Sequence, residues 1–321
     1  MDENLKISRR DALKTIGAAC LTAAIATTPF ASCVANAKKE EEKKDRVKRM
    51  IFFFSATGNS LYVSKQIGGE DATILSIAQE IHNENPVYEA EEMGFVFPTY
   101  GFTAPAIVQD FIARSRFKAD YFFGVATFGA HTTRLPEIFQ AFTKEHGIDI
   151  NYISSVQMVD TYLPFFDQEV EQAADKHTEE MIAKVKADIN ARENYIQPVT
   201  EEDNRFYIMY FNGRPRDKVK PFLTRSEKIV FSTDDCIGCG ICTSVCPHGS
   251  WQIVDGKSVA NGECENCLAC VQNCPRKAIS IIPAPMEPEQ EANRNARYRN
   301  PNVKLIDIIR ANSQDKTNVN S

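Results

Sequence analysis

The 321-residue chain has no cysteine between Cys33 and Cys236 and no long basic block. It also has neither a G-x-G-x-x-G nor a G-x-x-x-x-G-K-[ST] loop. Each absence removes a class of function. Without a basic block, and with a net charge of −6, nucleic acid is excluded as a main partner. Without either glycine loop, the chain is neither a dinucleotide-binding Rossmann protein nor a P-loop phosphotransferase. No series of long apolar runs makes a bundle of membrane-spanning helices. No acid–base pair or activated nucleophile stands out, so the chemistry must come from groups the chain binds. Hydrophobic residues at 43% and charged residues at 25% are those of a soluble protein with a real core. At roughly 150 residues per domain the length suggests two domains.

What is present begins with SRRDALK, Ser8 to Lys14. It resembles a twin-arginine export signal, with Ser8, Arg9, Arg10, Leu13 and Lys14 in their expected places and Ala12 where Phe is usual. A modestly apolar run, Thr15 to Ser32, precedes Ala35-Asn36-Ala37, which fits a small-x-small cleavage site. Residues 1–37 therefore read as a removable signal, and 38–48 as a charged, solvated spacer. Two alternatives stand open. The run is just long enough to remain as an N-terminal membrane anchor, and Phe30-Ala31-Ser32-Cys33 faintly resembles a lipidation site at Cys33. Each reading puts the protein in the periplasm or on the outer face of the cytoplasmic membrane.

Eight of the ten cysteines fall between residues 236 and 274. Eight cysteines in an exported chain would ordinarily mean disulfides, but the spacing argues otherwise. CIGCGICTSVCP is C-x2-C-x2-C-x3-C-P, and CENCLACVQNCP repeats it 28 residues later, from Cys236 to Cys264. Three cysteines within seven residues set three sulfurs around one small cavity, which suits a cubane iron–sulfur cluster. The fourth cysteine of each run, followed by proline, reaches the other cluster. The expected sets are Cys236, Cys239, Cys242 with Cys274, and Cys264, Cys267, Cys270 with Cys246. Gly238 and Gly240 leave N–H groups to point at sulfur. Structural zinc is the alternative, although zinc sites usually use two separated C-x-x-C pairs. The stretch 226–283 resembles the two-cluster bacterial ferredoxins, which implies two [4Fe-4S] clusters, with short covering strands at Trp251–Val254 and Ile279–Ile282.

The first half has a different grammar. Met50 to Phe54 is a continuous apolar run, as in a strand buried on both faces of a parallel sheet. SATGNS (55–60) follows and leads into a helical pattern over Asn59–Gly68. A strand, a Ser/Thr/Gly turn and a helix start form a phosphate cradle built from neutral donors. Further strands are expected at Thr73–Ile77, Met93–Pro98, Tyr121–Thr127 and Ile150–Met158, and helices at Ala104–Arg114, Leu135–His146 and Glu169–Arg192. The alternation predicts an α/β doubly wound parallel sheet whose ligand sits beyond the carboxyl ends of its strands.

Three loops lie at that edge, and on them residues 49–194 resemble flavodoxins. The resemblance implies a flavin mononucleotide (FMN) site. Its phosphate loop would be Ser55, Ala56, Thr57, Gly58, Asn59 and Ser60. The ring-binding loops would be Pro98, Thr99, Tyr100, Gly101 and Phe102, and Thr127, Phe128 and Gly129. Tyr100, Phe102 and Phe128 are the candidate stacking rings, and Gly101 and Gly129 admit backbone to the flavin edge. His131 reads either as a solvated loop histidine or as a flavin contact. Residues 159–167 (VDTYLPFFD) are either a lid over the ring or a buried loop.

A flavodoxin-like domain followed by a two-cluster ferredoxin resembles a fusion family of anaerobic bacteria. The connection, 195–225, is too aromatic for a loose linker and suggests a strand at Phe206–Tyr210. The extension 284–321 suggests a short docking helix over Val303–Arg310. The combination implies an exported electron-transfer protein that works between redox partner proteins, one of them a membrane reductase. An FMN-dependent reductase of a small quinone-like acceptor is the competing reading, and a flavin-free cluster scaffold is the third. Export of a folded, cofactor-loaded chain would explain the twin-arginine route.

Overall fold

A computed structural model describes residues 46–211, 230–281 and 292–314. The expected signal, Cys33 and most of the spacer lie outside the described residues, as does 212–225 of the expected connection. Among the described residues no helix is long and apolar enough to cross a membrane.

The sheet is parallel throughout. Its strands are β1 (Val47–Phe53), β2 (Ala72–Ser76), β3 (Val87–Pro98), β4 (Arg116–Lys118), β5 (Tyr121–Phe128), β6 (Tyr152–Gln157) and β7 (Tyr195–Ile196). They run in the order β2-β1-β3-β5-β6-β7, with the short β4 paired to the start of β3. Without β4 and the edge strand β7, this is the 2-1-3-4-5 order of flavodoxin-like folds, with its switch point between β1 and β3. The apolar run of β1 explains its central place. Ile51 and Phe53 pack into the core on one face, and Met50 and Phe52 into the core on the other, as the two-residue period of a strand requires. The second core is aromatic: Phe52 lies 4.6 Å from Tyr88 and 5.0 Å from Phe111 between ring centroids.

The helices of this half are α1 (Asn59–Gly68), α2 (Ile77–Glu80), α3 (Ala106–Arg114), α4 (Leu135–Glu145), α5 (Gln168–Ala173), α6 (Thr178–Asn190) and α7 (Glu201–Phe211). Two expectations are corrected. The single helix foreseen over 169–192 is two, because the Asp175 carboxylate takes the His177 N–H at 2.9 Å and His177 turns to φ 50. Such a local side-chain bond competes with the helical ladder. The strand foreseen at Phe206–Tyr210 lies inside α7. Thr200 and Asp203 bond reciprocally there, with the Asp203 N–H on Thr200 Oγ1 at 3.0 Å and the Thr200 hydroxyl on Asp203 Oδ2 at 2.6 Å. That pair starts a helix.

The cysteine-rich segment is built from two small antiparallel sheets of two strands each and two short helices. β8 (Val230–Ser232) pairs with β11 (Ile279–Ile281), and β9 (Trp251–Val254) pairs with β10 (Lys257–Ala260). Asp255 and Gly256, at φ 49 and 74, make the tight turn between the latter two. Helices α8 (Ile241–Val245) and α9 (Ala269–Gln272) lie within the cysteine runs and carry Cys242 and Cys270. A final helix, α10 (Leu305–Asn312), lies two residues beyond the expected Val303–Arg310. It docks on the sheet half, where Ser76 Oγ donates to Ala311 O at 2.6 Å and Gln79 Nε2 to Ser313 O at 2.7 Å. One core runs from Ile51 and Val96 of the sheet into Val245, Trp251 and Val271 of the cysteine segment.

Candidate cofactor sites

The loops after β1, β3, β5 and β6 meet at the carboxyl edge of the sheet. They enclose a narrow cavity of about 50 Å³ and a wider cleft of about 330 Å³ beside it. The narrow cavity is lined by Ser55, Ala56, Thr57, Asn59, Ser60, Pro98, Thr99, Tyr100, Thr127, Phe128 and Gly129, together with Val159, Asp160 and Thr161. Eleven of the fourteen residues expected for the flavin site therefore converge there. Gly58 stands at the bend behind it, at φ 97, a conformation open to glycine and strained for other residues. Its N–H donates to Ser55 Oγ at 3.1 Å, and its carbonyl accepts the first bond of α1 from Tyr62 N at 2.8 Å. The opening N–H groups of α1 have no intrahelical acceptor, an arrangement that receives an anion. Thr99 Oγ1, which borders both cavities, is buried and unpartnered. A buried hydroxyl in that state is open to a bond from a ligand atom or an ordered water.

The wider cleft is aromatic. Gly101 and Phe102 line it from the β3 loop, His131 from the β5 loop, Tyr162, Phe165 and Phe166 from the β6 loop, and Phe206 and Tyr210 from α7. The His131 ring stacks on Phe206 with centroids 3.9 Å apart. Phe102 meets Tyr210 edge-on at 4.9 Å. Of the three expected stacking rings, only Phe102 faces this cleft; Tyr100 and Phe128 line the narrow cavity. The 159–167 segment divides its roles, because Leu163 is fully buried while Phe165 is exposed at the rim.

Asp160, which sequence reasoning left inside that segment, borders both spaces. Burial, the largest cause, pushes its carboxyl pKa up to about 6; Glu171 pushes the same way, while the Tyr162 N–H opposes it.

The cysteines form two rings. Cys236, Cys239, Cys242 and Cys274 line one cavity, and Cys246, Cys264, Cys267 and Cys270 line another. All eight are free thiols. Among the described residues no three acidic, histidine or cysteine side chains close on a single metal ion. Each quartet of sulfurs around one cavity suits a polynuclear iron–sulfur cluster.

The duplication extends to the bonds. Gly238 N–H reaches Cys236 Sγ at 3.5 Å and Asn266 N–H reaches Cys264 Sγ at 3.4 Å. Ser250 N–H reaches Cys246 Sγ and Ala278 N–H reaches Cys274 Sγ, each at 3.3 Å. Both runs need left-handed backbone at the same two places. The first uses Gly238 and Gly240, and the second uses Asn266 and Leu268 at φ 55 and 58.

The two kinds of site are adjacent. Glu265, almost fully buried, accepts Ile107 N–H at 2.9 Å and pairs with His248 Nε2 at 2.8 Å. Cys267 packs against the aromatic core of the sheet. Burial first, then Cys267, Glu265 and Cys264, push the Tyr100 phenol pKa well above its usual value. Tyr100, which lines the narrow cavity, thus senses the second ring.

Residues 227–279 match the family described as 4Fe-4S dicluster domain. Among curated proteins, a ferredoxin of Pyrobaculum islandicum is 40% identical over 60 residues, 18% of this chain and 56% of that protein. A ferredoxin of Thermococcus litoralis is 37% identical over 57 residues, 17% of this chain and 97% of its own length. An uncharacterized ferredoxin of Methanocaldococcus jannaschii is 36% identical over 73 residues, 21% of this chain and 95% of its own. The chain thus spans just over half of the first relative and nearly all of the other two. Among solved structures, a Bacteroides uniformis protein provisionally described as a flavoprotein aligns at 17% identity with a TM-score of 0.29, covering 40% of this chain and 97% of that one. The Trp repressor binding protein of Bacillus subtilis aligns at 9% identity with a TM-score of 0.27, covering 43% and 96%. The strand order, rather than these two likenesses, defines the fold of the first half.

Proposed function

Because the chain belongs, through residues 227–279, to the 4Fe-4S dicluster ferredoxin family, we propose that it is an exported electron-transfer protein holding two [4Fe-4S] clusters and one FMN. The observation that carries this reading is the pair of crossed cysteine rings, the second of them beside Tyr100 at the edge of a phosphate-cradle cavity. Clusters supply single-electron exchange and FMN supplies either one- or two-electron exchange, so a chain holding both interconverts the two modes.

The protein's own part is to bind, orient and exclude water. Cys236, Cys239, Cys242 and Cys274 would ligate one cluster, and Cys246, Cys264, Cys267 and Cys270 the other. Ser55, Thr57 and the opening N–H groups of α1 would hold the phosphate. Thr99 would meet the flavin with its unpartnered hydroxyl, and Phe102 and Phe206 would flank the ring in the wider cleft. Ile237, Ile241 and Ile279 wall the first cysteine cavity with apolar surface, and Val230, Trp251 and Leu268 wall the second, which limits water and helps set potential. The twin-arginine motif supports export of the folded chain to the periplasm or the outer membrane face, where a membrane reductase and a partner protein would be its redox partners.

A second reading, an FMN-dependent reductase of a small quinone-like acceptor, is favoured by the polar groups Asp160, His131 and Tyr162 on the aromatic cleft. Anaerobic reconstitution tests the first reading, which expects one FMN and about eight irons per chain. Full iron content with no flavin uptake would overturn the flavin half. Turnover of small quinones at rates that protein acceptors do not match would transfer the case to the reductase.

A further inference from the structure

We infer that residues 298–312, far away in sequence, are the outer layer of the phosphate cradle, and that Tyr298 and Asn300 are positioning residues for the terminal phosphate of FMN. The inference rests on the flavin reading above and adds to it the group that fixes the loop.

The contacts are unusually polar for a segment that merely closes a core. Tyr298 Oη donates to Asn59 Oδ1 at 2.7 Å, and Asn300 Nδ2 donates to the same oxygen at 3.1 Å. Asn300 N–H donates to Thr57 O at 2.8 Å, and Asn312 Nδ2 to Ser55 O at 2.9 Å. Tyr298, Asn300 and Asn312 are at most 4% exposed. Burying polar groups costs free energy unless they are bonded, and apolar side chains would fill the same space without that demand.

The choice of acceptors has a direction. Every one of these bonds ends on a loop oxygen, namely Ser55 O, Thr57 O or Asn59 Oδ1. None uses a loop N–H. The clamp therefore fixes the loop without using its N–H groups; Gly58 N–H is taken by Ser55 Oγ, and the bond on Ser55 O polarises the peptide that carries the Ala56 N–H. Val303 closes the arrangement: a Cβ placed on Gly58 would stand 2.9 Å from Val303 Cβ.

The clamp also reaches the second cysteine ring. Gln272, between Cys270 and Cys274, accepts Tyr298 N–H on Oε1 at 2.8 Å and donates from Nε2 to Thr161 O at 3.0 Å. One buried amide thus joins α9, the clamp and the loop that walls the narrow cavity.

The test compares FMN with riboflavin, which lacks the phosphate, on the full-length, anaerobically reconstituted protein. Tyr298→Phe deletes a single hydroxyl. It should weaken FMN binding about three- to tenfold, leave riboflavin affinity unchanged, and speed hydrogen exchange at residues 55–60 with the iron content intact. Tyr62→Phe, which removes a hydroxyl elsewhere on α1 that is bonded to exposed Glu179 of α6, should change none of these. Unaltered FMN affinity in Tyr298→Phe, or equal loss of FMN and riboflavin, would overturn the inference. A parent protein that binds FMN no better than riboflavin would instead remove the phosphate reading on which it stands.

Discussion

Glu265, set between Cys264 and Cys267, accepts the backbone N–H of Ile107 at 2.9 Å, near the start of α3. A carboxylate at a helix N-terminus is favourable, and here it joins the cysteine-rich segment to the sheet. Replacing Glu265 with Ala strands both the Ile107 N–H and His248, so stability should fall by about 1–3 kcal/mol. Replacement with Gln keeps an acceptor for Ile107 and should cost less. Thermal unfolding of the two variants side by side decides it; equal losses would mean that the bond to Ile107 is immaterial.

The proposed crossed ligation gives an unambiguous substitution. Cys274 lies four residues from Cys270 but lines the other cavity, with Cys236, Cys239 and Cys242. Cys274→Ser should therefore halve the iron, from about eight to about four atoms, by emptying the ring of the first run. Spectra showing that the 246, 264, 267 and 270 ring had been lost instead would contradict the assignment.

Gly238 and Gly240 both have positive φ, at 66 and 77, yet their surroundings differ. A Cβ on Gly238 would meet the carbonyl oxygen of Gly256 at 2.5 Å, whereas one on Gly240 finds nothing nearer than Thr243 Oγ1 at 3.7 Å. Gly240→Ala should cost only the conformational strain of about 1–2 kcal/mol. Gly238→Ala adds a backbone collision and should damage assembly of the first ring far more. Cluster content after identical reconstitution is the measurement, and similar yields would show that the β9–β10 turn gives way easily.

The pKa of Asp160 is raised to about 6 in the folded chain, chiefly by burial. For an acid shifted upward the folded state holds the proton longer than the unfolded state. Stability therefore falls as pH rises from about 4 through about 6 and stays lower above that. Glu171 and Lys176, paired at 3.0 Å, are the charged groups beside it. Asp160→Asn should raise stability at pH 8 by about 2–3 kcal/mol and change little at pH 4. A difference between variant and parent that does not vary with pH would rule out this titration.

The cysteine spacing and the order of strands and helices were legible in the sequence because each follows from local chemistry. The repeat of 28 residues is carried into the hydrogen bonds, and the apolar run of β1 led to its burial on both faces. What escaped reading depended on competition between signals or on distant chain. The aromatic stretch 206–210 looks like a strand until Thr200 and Asp203 are recognised as a helix start. The Asp-Gly pair at 255–256 marked a hairpin that the cysteine pattern overshadowed. Asp160 gained its significance only when the β6 loop folded over the site. The contacts of Tyr298 and Asn300 with the 55–60 loop span more than 230 residues, and no local pattern encodes them.

The two halves of the internal duplication meet the surroundings differently. Cys239 is exposed and its neighbour Ile237 is 63% exposed, whereas Cys267 and Cys270 are enclosed by Trp251, Leu268 and the sheet's own core. Oxidants and passing thiols therefore encounter one sulfur quartet well before the other. Two motifs of identical cysteine spacing should age at unequal rates, and a partly air-damaged preparation should be a population with its interior quartet preserved.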